Sequence, residues 1–229
     1  MEVKILATGS TGNCYTVSDG QTCIMLDCGL PFNRIQKLTD YKLPDAVFVT
    51  HEHQDHAKAV KDFIKRGVDV YMTAGTAEAL GIEPHHRLKI LADCAKVGAF
   101  EVYGFSVHHD AKEPVNFELF HGENLLVYIT DCGYMPFSFS KPTHILIESN
   151  YSRDKLAKAV TDGAIDVKQA VRIEENHLAV EQAAEWLKQQ DLTKCEEIYL
   201  IHTSSRHAVK EEVKDFIRSQ IPRYNGKIE

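Results

Sequence analysis

No C-x-x-C pair occurs among the six cysteines of this 229-residue chain, Cys14, Cys23, Cys28, Cys94, Cys132 and Cys195, and no even framework of spacings links them. A cysteine zinc site and a disulfide scaffold both lose their basis, and the pattern suits reduced thiols, several of them in buried strands. Long apolar spans are also lacking. The opening "MEVKILATGSTGNCYTV" alternates apolar residues and soon meets glycine and asparagine, unlike a membrane helix or a secretory leader. A soluble, cytoplasmic protein with no membrane partner is the expectation. No Pro/Ser/Gly-rich stretch and no single-sign charge run marks a linker, so residues 1–229 are expected to form a single domain, with 44% hydrophobic residues to fill its core. A basic excess is missing as well: 26 Lys and Arg against 33 Asp and Glu leave a formal charge of −7. That removes a whole-surface attraction for long polyanions and leaves room only for a local basic patch.

Histidine, by contrast, is plentiful, with twelve in the chain. In "FVTHEHQDHAKAV", residues 48–60, His51, His53 and His56 share six positions with Glu52 and Asp55, directly after an apolar run. Neutral imidazole and carboxylate suit a divalent metal such as Zn²⁺. His51 and His53 are two apart, so in an extended segment they point the same way and can share one metal. Asp55 and His56 are adjacent where the chain enters a helix and can face a second metal. Glu52 is expected to be no ligand. A solvated histidine-rich loop is the bland alternative, and four donors in six residues after a buried strand weigh against it.

Around this string the chain reads as α/β. "VKILAT" (3–8), "CYTVS" (14–18) and "TCIMLD" (22–27) are strands separated by the turns "GSTGN" and "SDGQ". "DAVFVT" (45–50) is a buried strand. The segment after Asp55 is helical, with Ala57, Val60, Phe63 and Ile64 at helical spacing before Gly67. A strand at 68–72, a short helix near "TAEALG" and strands in "AFEVYGFSVHHD", "NFELF" and "NLLVYITD" follow. Beyond the strand "THILIES" the pattern turns helical, clearest in "AVEQAAEWLKQQ" (179–190), before a strand "EIYLIH" (197–202) and a helix near 208–219. This order implies helices outside two sheets. A faint internal echo joins Asp27-Cys28-Gly29 to Asp131-Cys132-Gly133, each closing an apolar strand. Two metals need further donors, and His109, Asp131 and His202 close later strands. Asp131 is suited to bridging two cations roughly 3.5–4 Å apart. His108 and His109 remain alternatives at this point, because strand alternation sends one inward and one away.

The string His51-x-His53-x-Asp55-His56, preceded by Asp27 and followed by His109, Asp131 and His202, resembles the metallo-β-lactamase superfamily over nearly the whole chain. The resemblance implies an αβ/βα four-layer sandwich and two divalent ions, Zn²⁺ foremost and Mn²⁺ as the other choice. It gives His51, His53, His109 and Asp131 to one ion, and Asp55, His56, Asp131 and His202 to the other. Asp27 then hydrogen-bonds the ligand loop. "LATGSTGNCY" and "HHDAKEPVNFEL" are similar to the YycJ/WalJ-like hydrolases, which is what selects His109 over His108.

The C-terminal third resembles the phosphodiesterase branch that includes tRNase Z, through Glu148 in "LIESN", His177 in "ENHLAVEQ" and the run His202 to Arg206 in "HTSSR". It implies His177 as a general acid oriented by Glu148, Asp55 as a further catalytic residue, and Ser204 or Arg206 gripping a phosphate oxygen. Where the YycJ-like pattern carries a glycine before the histidine, this chain has Asn176, and it lacks the large clamp insertion of the β-CASP nucleases. The expected activity is a dinuclear phosphodiesterase acting on nucleic acid. The rivals are a cyclic-nucleotide phosphodiesterase similar to the phage anti-Pycsar enzymes, a thioesterase or lactonase, and a non-catalytic metal-stabilised module. A homodimer is an assembly the resemblance allows. His85, His86, His121, His144 and His207 are read as surface or structural residues.

Overall fold

The computed structural model describes residues 1–204 and 208–229. They form two compact units, residues 1–106 with 111–123, and residues 107–110 with 124–229.

The first unit is built on a six-stranded sheet in the order β1 (Glu2–Ala7), β2 (Cys14–Ser18), β3 (Cys23–Leu26), β4 (Ala46–Phe48), β5 (Asp69–Met72), β6 (Leu88–Ile90). Strands β1 to β3 are antiparallel neighbours, and β3 to β6 run parallel. The parallel crossovers carry α1 (Phe32–Leu38), α2 (Gln54–Ala57), α3 (Val60–Lys65) and α4 (Ala74–Ala79). Their apolar faces bury Phe32, Ile35, Val60 and Phe63 against Met25, Val47, Val49 and Val70. An antiparallel meander of β7 (Cys94–Val97), β8 (Phe100–Ser106) and β9 (Val115–His121) completes the unit.

Strands β10 (Asn124–Ile129), β11 (His144–Glu148), β12 (Glu197–Ile201) and β13 (Lys227–Ile228) of the second unit are all parallel. Because they are near-continuous apolar runs, β10 to β12 are buried almost throughout. Helices α5 (Arg153–Thr161), α6 (Val167–Asn176), α7 (Val180–Gln189) and α8 (Lys210–Gln220) connect them.

Three expectations need correction. The helix after Asp55 is broken into α2 and α3, because the Ala59 amide bonds the Cys28 carbonyl at 3.0 Å in place of a helical partner. His109 does not close a strand: β8 ends at Ser106, so strand alternation has no bearing on His108 against His109. The edge strands β6 and β7 have no counterpart in the sequence reading; both are short and only partly buried, so their hydrophobic pattern is weak.

The Asp-Cys-Gly echo has a structural counterpart in each unit. Asp27 and Asp131 both take positive φ, 55° and 43°, just past a strand. Cys28 and Cys132 are wholly buried. A Cβ on Gly29 would fall 1.7 Å from the Asp55 carbonyl oxygen, and one on Gly133 2.0 Å from that of Glu175. In each case the absence of a side chain lets backbone carrying a carboxylate approach another segment closely.

Candidate active site and its metal donors

In the first unit the parallel strands β3 and β4 end side by side, which sets Asp27 next to Thr50. Asp27 Oδ1 accepts from the Thr50 amide at 2.9 Å, and the Thr50 hydroxyl donates to the same carboxylate at 3.0 Å. With its proton so committed, Thr50 Oγ1 is the acceptor for His51 Nδ1–H at 3.0 Å. Asp27 Oδ2 takes His56 Nδ1–H at 2.7 Å. The chain His51–Thr50–Asp27–His56 is fully buried and fixes both tautomers, so that each ring presents the lone pair of Nε2. His51 Nε2 lies 3.0 Å from His53 Nδ1, and His56 Nε2 lies 3.6 Å from Asp55 Oδ2. Glu52 turns aside and accepts the Lys112 amide at 2.8 Å.

Asn13 braces the same group. Its amide nitrogen lies 3.0 Å from His56 Nε2, its backbone N–H bonds the Asp55 carbonyl at 2.7 Å, and its side-chain oxygen accepts from Gly9 and Tyr15. Nothing in the turn signal of "GSTGN" marks Asn13 for this role. Thr50 was likewise missed, although a hydroxyl between the strand and its first histidine was a readable signal.

The second unit assembles Asp131, Glu148, His177 and His202, whose donor atoms all lie within 4.8 Å of one another. Glu148 is the hub. Its Oε1 accepts from His177 Nδ1 at 2.8 Å, His202 Nδ1 at 2.7 Å and the Asn150 amide at 3.3 Å. Its Oε2 accepts the backbone amides of Leu178 at 2.9 Å and Cys132 at 3.3 Å. Burial disfavours the Glu148 carboxylate, yet the facing histidines outweigh it and hold the group below its ordinary value. For His177 burial lowers and Glu148 raises, and the result is upward.

His177 caps the end of α6 in an extended conformation, ahead of α7. The link from His177 to Ala179 runs beside Asn150 and Tyr151, bonded through Asn150 N to Leu178 O and Val180 N to Tyr151 O, and this puts the ring against Glu148. His202, with φ of 50°, follows β12, and its Nδ1 is also 3.0 Å from Asp131 Oδ1. His109 Nε2 is 3.5 Å from Asp131 Oδ2. The amide of Ser204 bonds Asn150 O at 2.8 Å, while Arg206 and His207 lie outside the described residues. His144, read as surface or structural, is buried in β11 with Nδ1 on the Thr143 hydroxyl. His121 pairs with Asp19, and His85 accepts the Arg87 amide.

The donors suit a divalent cation: the imidazoles of His51, His56 and His202 have Nδ1 tied back, carboxylates lie within reach, and no thiolate is among them. The family described as "Beta-lactamase superfamily domain" matches residues 22–203, and the chain belongs to that family. Among curated proteins it is similar to "Exodeoxyribonuclease WalJ" of Streptococcus pneumoniae serotype 2 (strain D39), 28% identical over 226 residues, 91% of this chain and 83% of that protein. "Exodeoxyribonuclease YycJ" of Bacillus anthracis is 29% identical over 228 residues, covering 92% and 85%. The metallo-β-lactamase fold protein YhfI of Bacillus subtilis superposes with a TM-score of 0.74 at 18% identity over 99% of this chain and 94% of that one, which establishes the α/β metallo-β-lactamase fold. No helix among the described residues is long and apolar enough to cross a membrane.

Proposed function

We propose that this chain is a metal-dependent phosphodiesterase of nuclease type whose substrate is DNA. The observation that carries the reading is the buried Glu148 carboxylate shared by His177 and His202 beside Asp131. The names of the two curated relatives support the choice of DNA. The proposed donors to two divalent ions are His51, His53, Asp55 and His56 in the first unit and His109, Asp131 and His202 in the second, with Zn²⁺ the first candidate by donor type and Mn²⁺ the second. Such ions, when bound, supply Lewis-acid polarisation of the phosphoryl group and activation of water.

The remaining chemistry is the protein's own. Expulsion of a sugar alkoxide needs a proton, and His177 is the donor. Its Nδ1–H is held by Glu148, so the proton is delivered from Nε2, and the raised affinity of the ring for protons keeps more of it charged near neutral pH. Ser204 and Arg206 complete the proposal as phosphate-gripping residues. The test is a competition panel of single- and double-stranded DNA, RNA and cyclic mononucleotides, with metal content measured alongside. DNA hydrolysis that falls steeply with salt, and drops by about 10²–10⁴ in His177→Ala, is the expected result. Turnover of cyclic nucleotides with DNA untouched, or an unimpaired His177→Ala enzyme, overturns it.

A further inference from the structure

His109 is held by a helix end. Its Nδ1 lies 3.1 Å from the main-chain carbonyl oxygen of Asn176, the last residue of α6. A carbonyl can only accept, so Nδ1 carries the proton and Nε2 keeps the lone pair that faces Asp131. The last carbonyls of an α-helix have no intrahelical donor, which leaves this one available to a side chain.

The Asn176 side chain adds a second grip. Its Oδ1 accepts the backbone amide of Asp110 at 2.8 Å, and its Nδ2 donates to the Arg172 carbonyl at 2.9 Å, which fixes its rotamer on the helix. One turn earlier on α6, Arg172 binds the Asp110 carboxylate through Nε at 3.2 Å and a terminal nitrogen at 2.8 Å. The segment carrying Asp131 is pressed on the same helix end, since Gly133 leaves no room for a Cβ against Glu175, and Gly133 N bonds His108 O at 3.2 Å. The end of α6 therefore touches both the His109 loop and the Asp131 turn. A glycine at position 176 could offer the carbonyl but not the amide grip. His109 lies beyond β8, where no ladder holds it, so its placement depends on such contacts.

We propose that Asn176 is a positioning residue for His109, holding the 108–110 loop so that His109 Nε2 keeps its distance to Asp131 and both engage one cation. The proposal rests on the reading of His109 as a metal donor. The test measures Zn²⁺ affinity of the full chain by competition with a chromophoric chelator, independent of turnover, for wild type, Asn176→Ala, His109→Ala and the double variant. Asn176→Ala is expected to weaken Zn²⁺ binding by about 10-fold or more. In the His109→Ala background the same substitution should change nothing further, because the two act through one contact. Wild-type affinity in Asn176→Ala, or an equal loss in both backgrounds, overturns the proposal. Wild-type affinity in His109→Ala instead overturns the donor reading beneath it, and the two failures are distinguishable. Should Asn176→Ala not fold, Arg172→Ala removes the exposed half of the grip. A weaker affinity there, again cancelled by His109→Ala, supports the clamp, and an unchanged one rejects it.

Discussion

Replacing Glu148 with glutamine tests the centre of the second unit with a change of one atom. The carboxylate accepts five hydrogen bonds and donates none: three converge on Oε1 from His177, His202 and Asn150, and two on Oε2 from Leu178 and Cys132. An amide must aim its NH₂ at one of those two groups. The less costly orientation faces the backbone amides of Leu178 and Cys132, stranding two buried donors at roughly 1–3 kcal/mol each, or about 2–6 kcal/mol in all. For a chain of this size each kcal/mol moves the melting temperature by about 2–4 °C, so Glu148→Gln should melt roughly 5–20 °C lower.

Charge adds a pH signature to this loss. Glu148, depressed from its ordinary 4.5, contributes stability above that value and loses it as pH falls through its folded value. His177, raised from 6.5, contributes below that value and loses it as pH rises through its folded value. The gap between wild type and Glu148→Gln is therefore widest between the two ordinary values, 4.5 and 6.5, and narrows as pH passes outward through either folded value. Circular-dichroism melts across that range, with and without Zn²⁺, read both effects. A variant that melts within about 1 °C of wild type at neutral pH would refute the reasoning.

Three further outcomes follow from local geometry. Thr50→Val keeps the shape of residue 50 but cuts the His51–Thr50–Asp27 link, and should weaken Zn²⁺ binding by about 10-fold in chelator competition; unchanged affinity would show that the tautomers are fixed otherwise. Gly133→Ala places a Cβ 2.0 Å from the Glu175 carbonyl oxygen, and should cost at least about 1–3 kcal/mol in urea unfolding with Asp131 displaced; a neutral result is incompatible with that contact. Cys94 is exposed and should react with a disulfide reagent in the native state, whereas Cys14, Cys28 and Cys132 are buried, with thiols pushed upward by burial, and should react only after unfolding; rapid native labelling of those three would contradict their packing.

The elements that were legible from pattern were those with a strong period or turn signal. β2, β3, β10, β11, β12 and α7 lie within a residue or two of their expected bounds, because buried parallel strands are continuous apolar runs and α7 has a clear amphipathic face. What was not legible depended on hydrogen bonds between distant residues. Ala59 leaves the helix for Cys28 O, and His177 is set by pairing with residues 150 and 151 rather than by the helix that follows it. Strand alternation offers no choice between His108 and His109, since β8 stops at Ser106; only the family resemblance singles out His109.

Sequence alone determined the chemistry available: imidazole and carboxylate donors crowded at strand ends, no thiolate pair to compete with them, and a histidine and a glutamate suited to proton transfer. Tertiary structure decided which nitrogen each histidine presents and which carboxylate serves as hub. It did so through Thr50, Asn13, Asn150 and Asn176, polar residues whose partners no periodicity reveals. Ligand identity is a property of residue type and can be read along a chain. Ligand orientation is a property of the partners that burial forces upon it, and those partners range from the next residue, as Thr50 to His51, to 67 residues away, as Asn176 to His109.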